Sequence, residues 1–321
     1  MKTALITGIT GQDGSYLTEL LLEKGYEVYG TSRVLNHSSS HLFRLSDVLP
    51  DITLLEADLS NTDSISAAVK EAMPNEVYNL GAQSSVASSW NHSIATAETT
   101  AVGTLRLLEA VRTHVSDARY YQASSSDMFG ISPPPQNEET VFHPRSPYGV
   151  SKAFAYWMTV NFRESYQMFA ANGILFNHES PRRGFEYLTR KVTDGIAQIV
   201  ARKREKLQLG NLESVRDWGF AGDYVQAMWL TLQVDTPDDF IIATGESHSV
   251  REFVEKAFAR VGLDYQDYII IDPELLRPAE TSALLGDPAK AKRCLGWEPQ
   301  ISFDELVAMM VDADLKRYDL L

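Results

Sequence analysis

Cysteine is nearly absent: Cys294 is the only one in 321 residues. No intrachain disulfide can form, and such usage points to a reducing cytoplasm. Cys294 lies in Ala-Lys-Arg-Cys-Leu-Gly-Trp with no histidine pattern paired to it, so it reads as a structural thiol rather than a nucleophile. Long uncharged apolar runs are also missing, which excludes a membrane-spanning helix. No basic, apolar leader is expected at Met1-Lys-Thr, which runs straight into a strand pattern. Positive charge is scarce: 29 Lys and Arg face 43 Asp and Glu, a formal charge of −14. Such a field repels nucleic acid, and an anionic small ligand would need local arginines. Asp, Glu and His show no compact metal-ligand spacing, so no metal is expected. Repeats and low-complexity tracts are missing too.

What remains is a globular chain whose 44% hydrophobic content is enough for a full core. Short apolar runs alternate with helical patterns through the N-terminal half. Thr3-Ala-Leu-Ile-Thr7 ends at glycine, as a buried parallel strand does. Leu17, Leu20 and Leu21 then line one helix face, and Gly25 ends it. Further strands are predicted near 26–30, 52–55, 76–80, 119–126, 173–176 and 239–244. Helices are predicted over 101–114, 146–168, 192–204, 220–232, 250–261 and 303–318. This alternation argues for an α/β fold, a doubly wound parallel sheet of Rossmann type with a smaller C-terminal substrate-binding region. Residues 1–176 would form the dinucleotide-binding domain, with 216–246 returning to it. Residues 177–215 and 247–321 would hold the substrate.

Gly8, Gly11 and Gly14 fall in the turn between the first strand and its helix. Glycines there let backbone N–H groups approach a pyrophosphate at a helix N-terminus. The spacing is G-x-x-G-x-x-G, and Gln12 and Asp13 share the turn. A carboxylate ending the second strand would favour NAD. The chain has Gly30-Thr-Ser-Arg33 instead, and Arg33 suits the 2′-phosphate of NADP. Asp58, with Leu59 beside it, has two readings: an acceptor for the adenine amino group, or a cap on the next helix.

Ser146-Pro-Tyr-Gly-Val-Ser-Lys152 places Tyr148 and Lys152 four apart, on one face of a helix. An ammonium beside a phenol lowers its pKa from about 10, making a base able to take a hydroxyl proton while hydride leaves the same carbon. Tyr-x-x-x-Lys also arises as a packed aromatic beside a solvated lysine. The glycine turn and the serine-rich strand end just upstream favour catalysis. Ser125 and Asp127, two apart at that strand end, would point to one side of an extended backbone. The other reading is that the serine run merely ends the strand and Asp127 caps a turn.

These segments resemble the extended short-chain dehydrogenase/reductase superfamily, and more narrowly the GDP-mannose 4,6-dehydratase family, over almost the whole chain. The narrower resemblance is carried by Asn172-Gly-Ile-Leu-Phe-Asn-His-Glu-Ser-Pro-Arg-Arg-Gly184, Arg216-Asp-Trp-Gly219 and Arg277-Pro-Ala-Glu280. It implies a hydro-lyase using NADP. Tyr148 would take the C4 hydroxyl proton, Lys152 would depress the tyrosine pKa and hold the nicotinamide ribose, and Ser125 would bond near the C4 oxygen. Asp127 would remove the C5 proton before water leaves across C5–C6 and hydride returns to C6. Arg216 and Arg277 would grip the GDP diphosphate and Glu280 a ribose hydroxyl, with Ser84, Asn177, Glu179 and Lys191 lining the same cleft. His178 is read as a packed histidine rather than a base.

Two departures stand out. The family usually has threonine and glutamate where this chain has Ser125 and Asp127. Its paired arginines after the second strand are replaced by Val34-Leu-Asn-His-Ser-Ser-Ser-His41. Family analogy also implies a homodimer or homotetramer through helices 101–114 and 146–168. Two other functions share these residues: a GDP-sugar epimerase or 4-ketoreductase, and a non-catalytic NADP- or nucleotide-sugar-binding protein.

Overall fold

The computed structural model describes residues 1–35, 42–275 and 283–321. Its centre is a seven-stranded, all-parallel sheet of β1 (Thr3–Thr7), β2 (Glu27–Ser32), β3 (Ile52–Glu56), β4 (Glu76–Asn79), β5 (Arg119–Ser125), β6 (Ala170–Leu175) and β11 (Asp239–Ile242). Spatial order is β11-β6-β5-β4-β1-β2-β3. The order therefore reverses between β1 and β4, opening a crevice at the carboxyl ends of the strands. The helices on its faces include α1 (Gln12–Glu23), α2 (Thr62–Ala72), α5 (Gly103–His114), α6 (Pro147–Tyr166) and α8 (Ala221–Thr231). Short helices α3 (Val86–Asn91) and α4 (Ser93–Thr96) precede α5. Leu17, Leu21, Ala227 and Met228 share a core on one face, and Ile65, Val69, Leu107 and Val111 share one on the other.

Beyond β6 the chain builds short elements over the crevice: β7 (Asn177–Glu179), β8 (Leu207–Leu209), β9 (Val215–Arg216), β10 (Trp218–Phe220), β12 (His248–Ser249) and β13 (Ile269–Ile271). They pair as β7 with β10, β9 with β12 and β8 with β13. Helices α7 (Leu188–Val200), α9 (Val250–Ala259) and α11 (Phe303–Arg317) have their own core around Ile196, Phe253, Phe258, Leu306 and Met310. The small α10 (Ala289–Leu295) packs back on β11. Among the described residues no helix is long and apolar enough to cross a membrane.

Helix ends differ from the sequence expectations for local reasons. Helix α6 stops at Tyr166 because Gln167 takes a left-handed φ of 58°. Helix α7 begins and ends about a turn early, with Arg202 at φ 57° just beyond it. Helical winding starts before residue 101: α4 continues through a π-helical stretch, Ala97–Val102, into α5.

The β1–α1 turn tolerates no side chain at two positions. A Cβ on Gly8, itself at φ +70°, would lie 2.9 Å from the Gly81 backbone. One on Gly14 would lie 2.5 Å from the Gly8 carbonyl oxygen and 2.6 Å from Ile9 Cα. Gly14→Ala is therefore expected to cost about 1–3 kcal/mol through overpacking, measurable as a lower denaturation midpoint, because only backbone could yield.

Candidate active site

The first turn of α1 offers unclaimed backbone donors. Its N-cap is Gly11, with no side-chain cap, so the amides of the turn face the crevice as an anion cradle. The side chains of Gln12 and Asp13 are engaged elsewhere. Gln12 Nε2 donates to the His178 carbonyl at 3.1 Å, and Ser180 Oγ donates to Gln12 Oε1 at 2.8 Å. Asp13 Oδ2 accepts from His178 Nε2 at 2.9 Å, while His178 Nδ1 donates to the Phe176 carbonyl at 2.7 Å. Both ring nitrogens thus face acceptors, an arrangement that favours a proton on each. Burial alone would lower its pKa, yet Asp13 and the Phe176 carbonyl outweigh that and raise it above 6.5. In turn, Asp13 would be raised by burial but is held down to about 2, chiefly by His178. The sequence reading of a packed histidine missed this pairing.

At the far end of the crevice Arg33 follows β2 directly and is exposed. Asp58 Oδ1 accepts from both Ser60 N and Ser60 Oγ at 2.8 Å. Burial alone would raise the Asp58 pKa; these two bonds, then Arg33 and Arg106, lower it overall. The cap on α2 is Asn61, which accepts from Ser64 N at 3.0 Å, so the capping alternative for Asp58 is set aside. Leu59 is buried and fills the space beside Gly81 and Gly103. Of the 34–41 loop only Val34 and Leu35 are described.

Strand β5 delivers Ser125, and one 3₁₀ turn, Ser126–Met128, then carries Asp127. The two side chains meet through this turn, not along an extended backbone: Asp127 N donates to Ser125 Oγ at 3.2 Å, and Ser125 Oγ lies 3.5 Å from Asp127 Oδ2. Tyr148 sits in the first turn of α6, which Ser146 caps by accepting from Gly149 N at 3.0 Å. Its side chain lines the same cavity as Ser125 and Asp127. Lys152 is buried, donates from Nζ to the Ala123 carbonyl at 2.7 Å, and lies 5.8 Å from the Tyr148 ring centroid. Burial pushes its pKa down to about 8, with Asp13 opposing.

Here the structure corrects one expectation. The Tyr148 phenol is not lowered; burial first, and then Asp127, push its pKa up, while Ser125 and Arg183 pull the other way. Lys152 donates to the Ala123 carbonyl rather than to the phenol oxygen.

Ser125, Asp127, Tyr148, Lys152, Asp13 and His178 line one cavity of about 230 Å³. A second, of about 270 Å³, is lined by Glu179, Lys191, Asn211 and Trp218 among others. Asn177, Arg183, Tyr187 and Arg216 border both. Ser84 faces the first cavity, its Oγ 2.7 Å from Tyr187 Oη. Glu179 accepts from Thr189 Oγ1 at 2.5 Å. The Lys191 pKa is lowered by burial and then by Arg204. Arg216 is buried, with Nη1 donating to the Val215 carbonyl at 2.7 Å. Arg277 and Glu280 lie outside the described residues. Arg183 and Tyr187 went unrecognised in the sequence. The Arg182-Arg183 pair was visible there, but only the fold sends Arg182 outward to Glu19 (2.7 Å) and Arg183 inward over the Tyr187 ring (3.7 Å).

A family model described as GDP-mannose 4,6 dehydratase matches residues 5–310. The chain belongs to the GDP-mannose 4,6-dehydratase family. It is 54% identical to GDP-mannose 4,6 dehydratase 2 of Arabidopsis thaliana over 98% of this chain and 87% of that one. It is 48% identical to the human GDP-mannose 4,6 dehydratase over 98% and 92%. Among solved structures, it superposes on the UDP-glucose 4-epimerase of Thermus thermophilus, a complex with NAD, at a TM-score of 0.84 with 25% identity, covering 97% of this chain and 98% of that one. The fold of a dTDP-glucose 4,6-dehydratase from Streptomyces venezuelae is also shared, at a TM-score of 0.86 with 22% identity over 99% and 98%. Family membership fits a crevice that pairs a reactive cavity with a basic one.

The Asp13–His178 pair has a pH signature. Its raised pKa means His178 contributes stability fully below pH 6.5 that is lost as pH rises through the folded-state value. Asp13→Asn should bring the His178 titration, followed by nitrogen-15 NMR of the ring, down toward or below 6.5.

Proposed function

We propose that the protein converts GDP-mannose to its 4-keto-6-deoxy derivative with loss of water, using NADP. The observation that carries this reading is the meeting of Ser125, Asp127, Tyr148 and Lys152 in one cavity, beside a basic one, in a chain of this family. The glycine turn fits a dinucleotide: the places where a Cβ would close it, Gly8 and Gly14, are free of side chains. Gly8, Gly11, Gln12, Asp13 and Gly14 would hold the pyrophosphate through their backbone, with Asp58 and Leu59 at the adenosine. Arg33 supports NADP over NAD, since no carboxylate stands at the end of β2.

NADP held by these residues would supply a hydride acceptor for C4 and a hydride donor for C6, so that no net oxidation would result. Tyr148 takes the C4 hydroxyl proton, and Ser125 hydrogen-bonds near the C4 oxygen. Asp127 takes the C5 proton, made acidic by the neighbouring ketone, and passes it to the departing C6 hydroxyl, which leaves as water; C5 then regains a proton, the one Tyr148 took from the C4 hydroxyl, as C6 is reduced. Lys152 contributes its positive charge below about pH 8. Arg216 would hold the diphosphate, with Ser84, Asn177, Glu179 and Lys191 lining the nucleotide-sugar cleft; Arg277, for the diphosphate, and Glu280, for a ribose hydroxyl, lie outside the described residues. The chain then divides into a cofactor domain of 1–176 and 216–246 and a substrate region of 177–215 and 247–321, which β11 supports by joining the main sheet beside β6.

Incubation with GDP-mannose and catalytic NADP should give a product lighter by one water in mass spectrometry, with no net build-up of reduced cofactor. Tyr148→Phe should lower kcat by about 10²–10⁴-fold. Unchanged GDP-mannose would sink the reading, and stoichiometric consumption of NADPH would point to a ketoreductase.

A homodimer, in a reducing cytoplasm, is the assembly we propose. Val150, Phe154 and Trp157 follow one another along a single face of α6 and are 56, 40 and 59% exposed, an apolar stripe suited to a second copy. Light scattering should find a dimer for the wild type and a monomer for the double variant Phe154→Glu/Trp157→Arg.

A further inference from the structure

A buried ion pair stands behind the loop that carries Arg183. Asp314 on α11 is fully buried, and Arg190 on α7 nearly so. Their contact is bidentate: Arg190 Nε lies 2.8 Å from Oδ2 and Nη2 lies 2.7 Å from Oδ1. Thr193 Oγ1 donates to the same carboxylate at 2.7 Å. This fork leaves Nη1 of Arg190 pointing away from Asp314, and it donates to the carbonyls of Pro181 and Arg183, the latter at 3.3 Å. The loop is gripped from its ring side as well, since the guanidiniums of Arg190 and Arg317 lie 4.5 and 4.4 Å from the Phe185 centroid.

Arg183 itself stands between the two cavities. Its guanidinium lies over Tyr187, and its Nε lies 3.2 Å from Glu179 Oε2. The side chain is thus tethered to neighbours that line the site, while its backbone is tethered to α7 and α11. We propose that Arg190 and Asp314 are positioning residues that fix Arg183 at the junction of the cofactor and nucleotide-sugar cavities. A planar fork with five donors can hold a carboxylate and two carbonyls at once; a lysine ammonium, with three donors on one atom, cannot reproduce that geometry. The pair is also costly to break from the acid side, because a buried arginine would lose its partner. Its retention here fits a task beyond packing. This inference rests on the reading that the two cavities hold NADP and a GDP-sugar.

The test is a double-mutant cycle read by calorimetric binding of GDP and of NADP to the full chain. Arg183→Ala first identifies which of the two ligands Arg183 holds. Arg190→Lys, which keeps the charge and is checked for folding by its unfolding curve, should then weaken that same ligand by about tenfold. Asp314→Asn should do likewise if it folds. The double variant Arg183→Ala/Arg190→Lys should bind within about twofold of Arg183→Ala alone, because the clamp has nothing left to position. Wild-type affinity in Arg190→Lys overturns the proposal, and so do losses that multiply in the double variant, since a merely structural role gives that result. Equal binding of both ligands by Arg183→Ala and wild type overturns it as well. Failure of the wild type to bind either nucleotide overturns the functional reading, and this inference with it.

Discussion

The charged contact between Asp13 and His178 joins two parts of the chain that must act together. Asp13 belongs to the first turn of α1, His178 to β7, and both line the cavity that holds Tyr148 and Lys152. Around that contact the same two segments are tied again by Gln12 to Ser180, by Arg182 to Ser15 and Glu19, and by Arg44 to the carbonyls of Thr10 and Arg182. Each is a polar group that would be costly to cover alone and is inexpensive when paired. The seam thus fixes β7 against the first turn of α1.

Electrostatics in the crevice run against the chain as a whole. The protein carries a formal charge of −14, yet Lys152, His178, Arg183, Lys191 and Arg216 converge on the two cavities. Negative charge spread over the surface is screened by salt, whereas cations held in a covered cleft act at full strength on an anionic ligand. Asp13 has a second role in this setting: it opposes the burial that pushes Lys152 down to about 8. Asp13 likewise favours the charged forms of His178 and Arg183.

Much of the fold was legible because the relevant signals are local. Alternating apolar runs and helical faces placed every strand of the main sheet, and the return of 239–244 to that sheet followed from its apolar run. The glycine turn could be read from three residues, since a close helix-to-strand approach forbids side chains there. Helix limits were less legible. Nothing local in Tyr166-Gln-Met168 announces that Gln167 turns left-handed, and the π-helical entry to α5 has no sequence signature. Ser125 and Asp127 were placed in one cavity for a partly mistaken reason: a 3₁₀ turn, not an extended strand, brings them together.

The sequence by itself determined which groups are available: a tyrosine and a lysine one helical turn apart, a hydroxyl and a carboxylate at a strand end, and arginines in two narrow motifs. Those follow from covalent order and helical or strand periodicity. Only the tertiary structure decided their states. Whether a phenol is raised or lowered depends on burial and on neighbours contributed by other segments. The charge on His178 depends on a carboxylate 165 residues away. That Arg183 rather than Arg182 lines the cavities goes with contacts to other segments, Arg182 to Glu19 and Ser15 on α1 and Arg183 to Glu179 and Tyr187. Those contacts are long-range, and their energies arise from desolvation and pairing, which exist only once the chain has closed on itself.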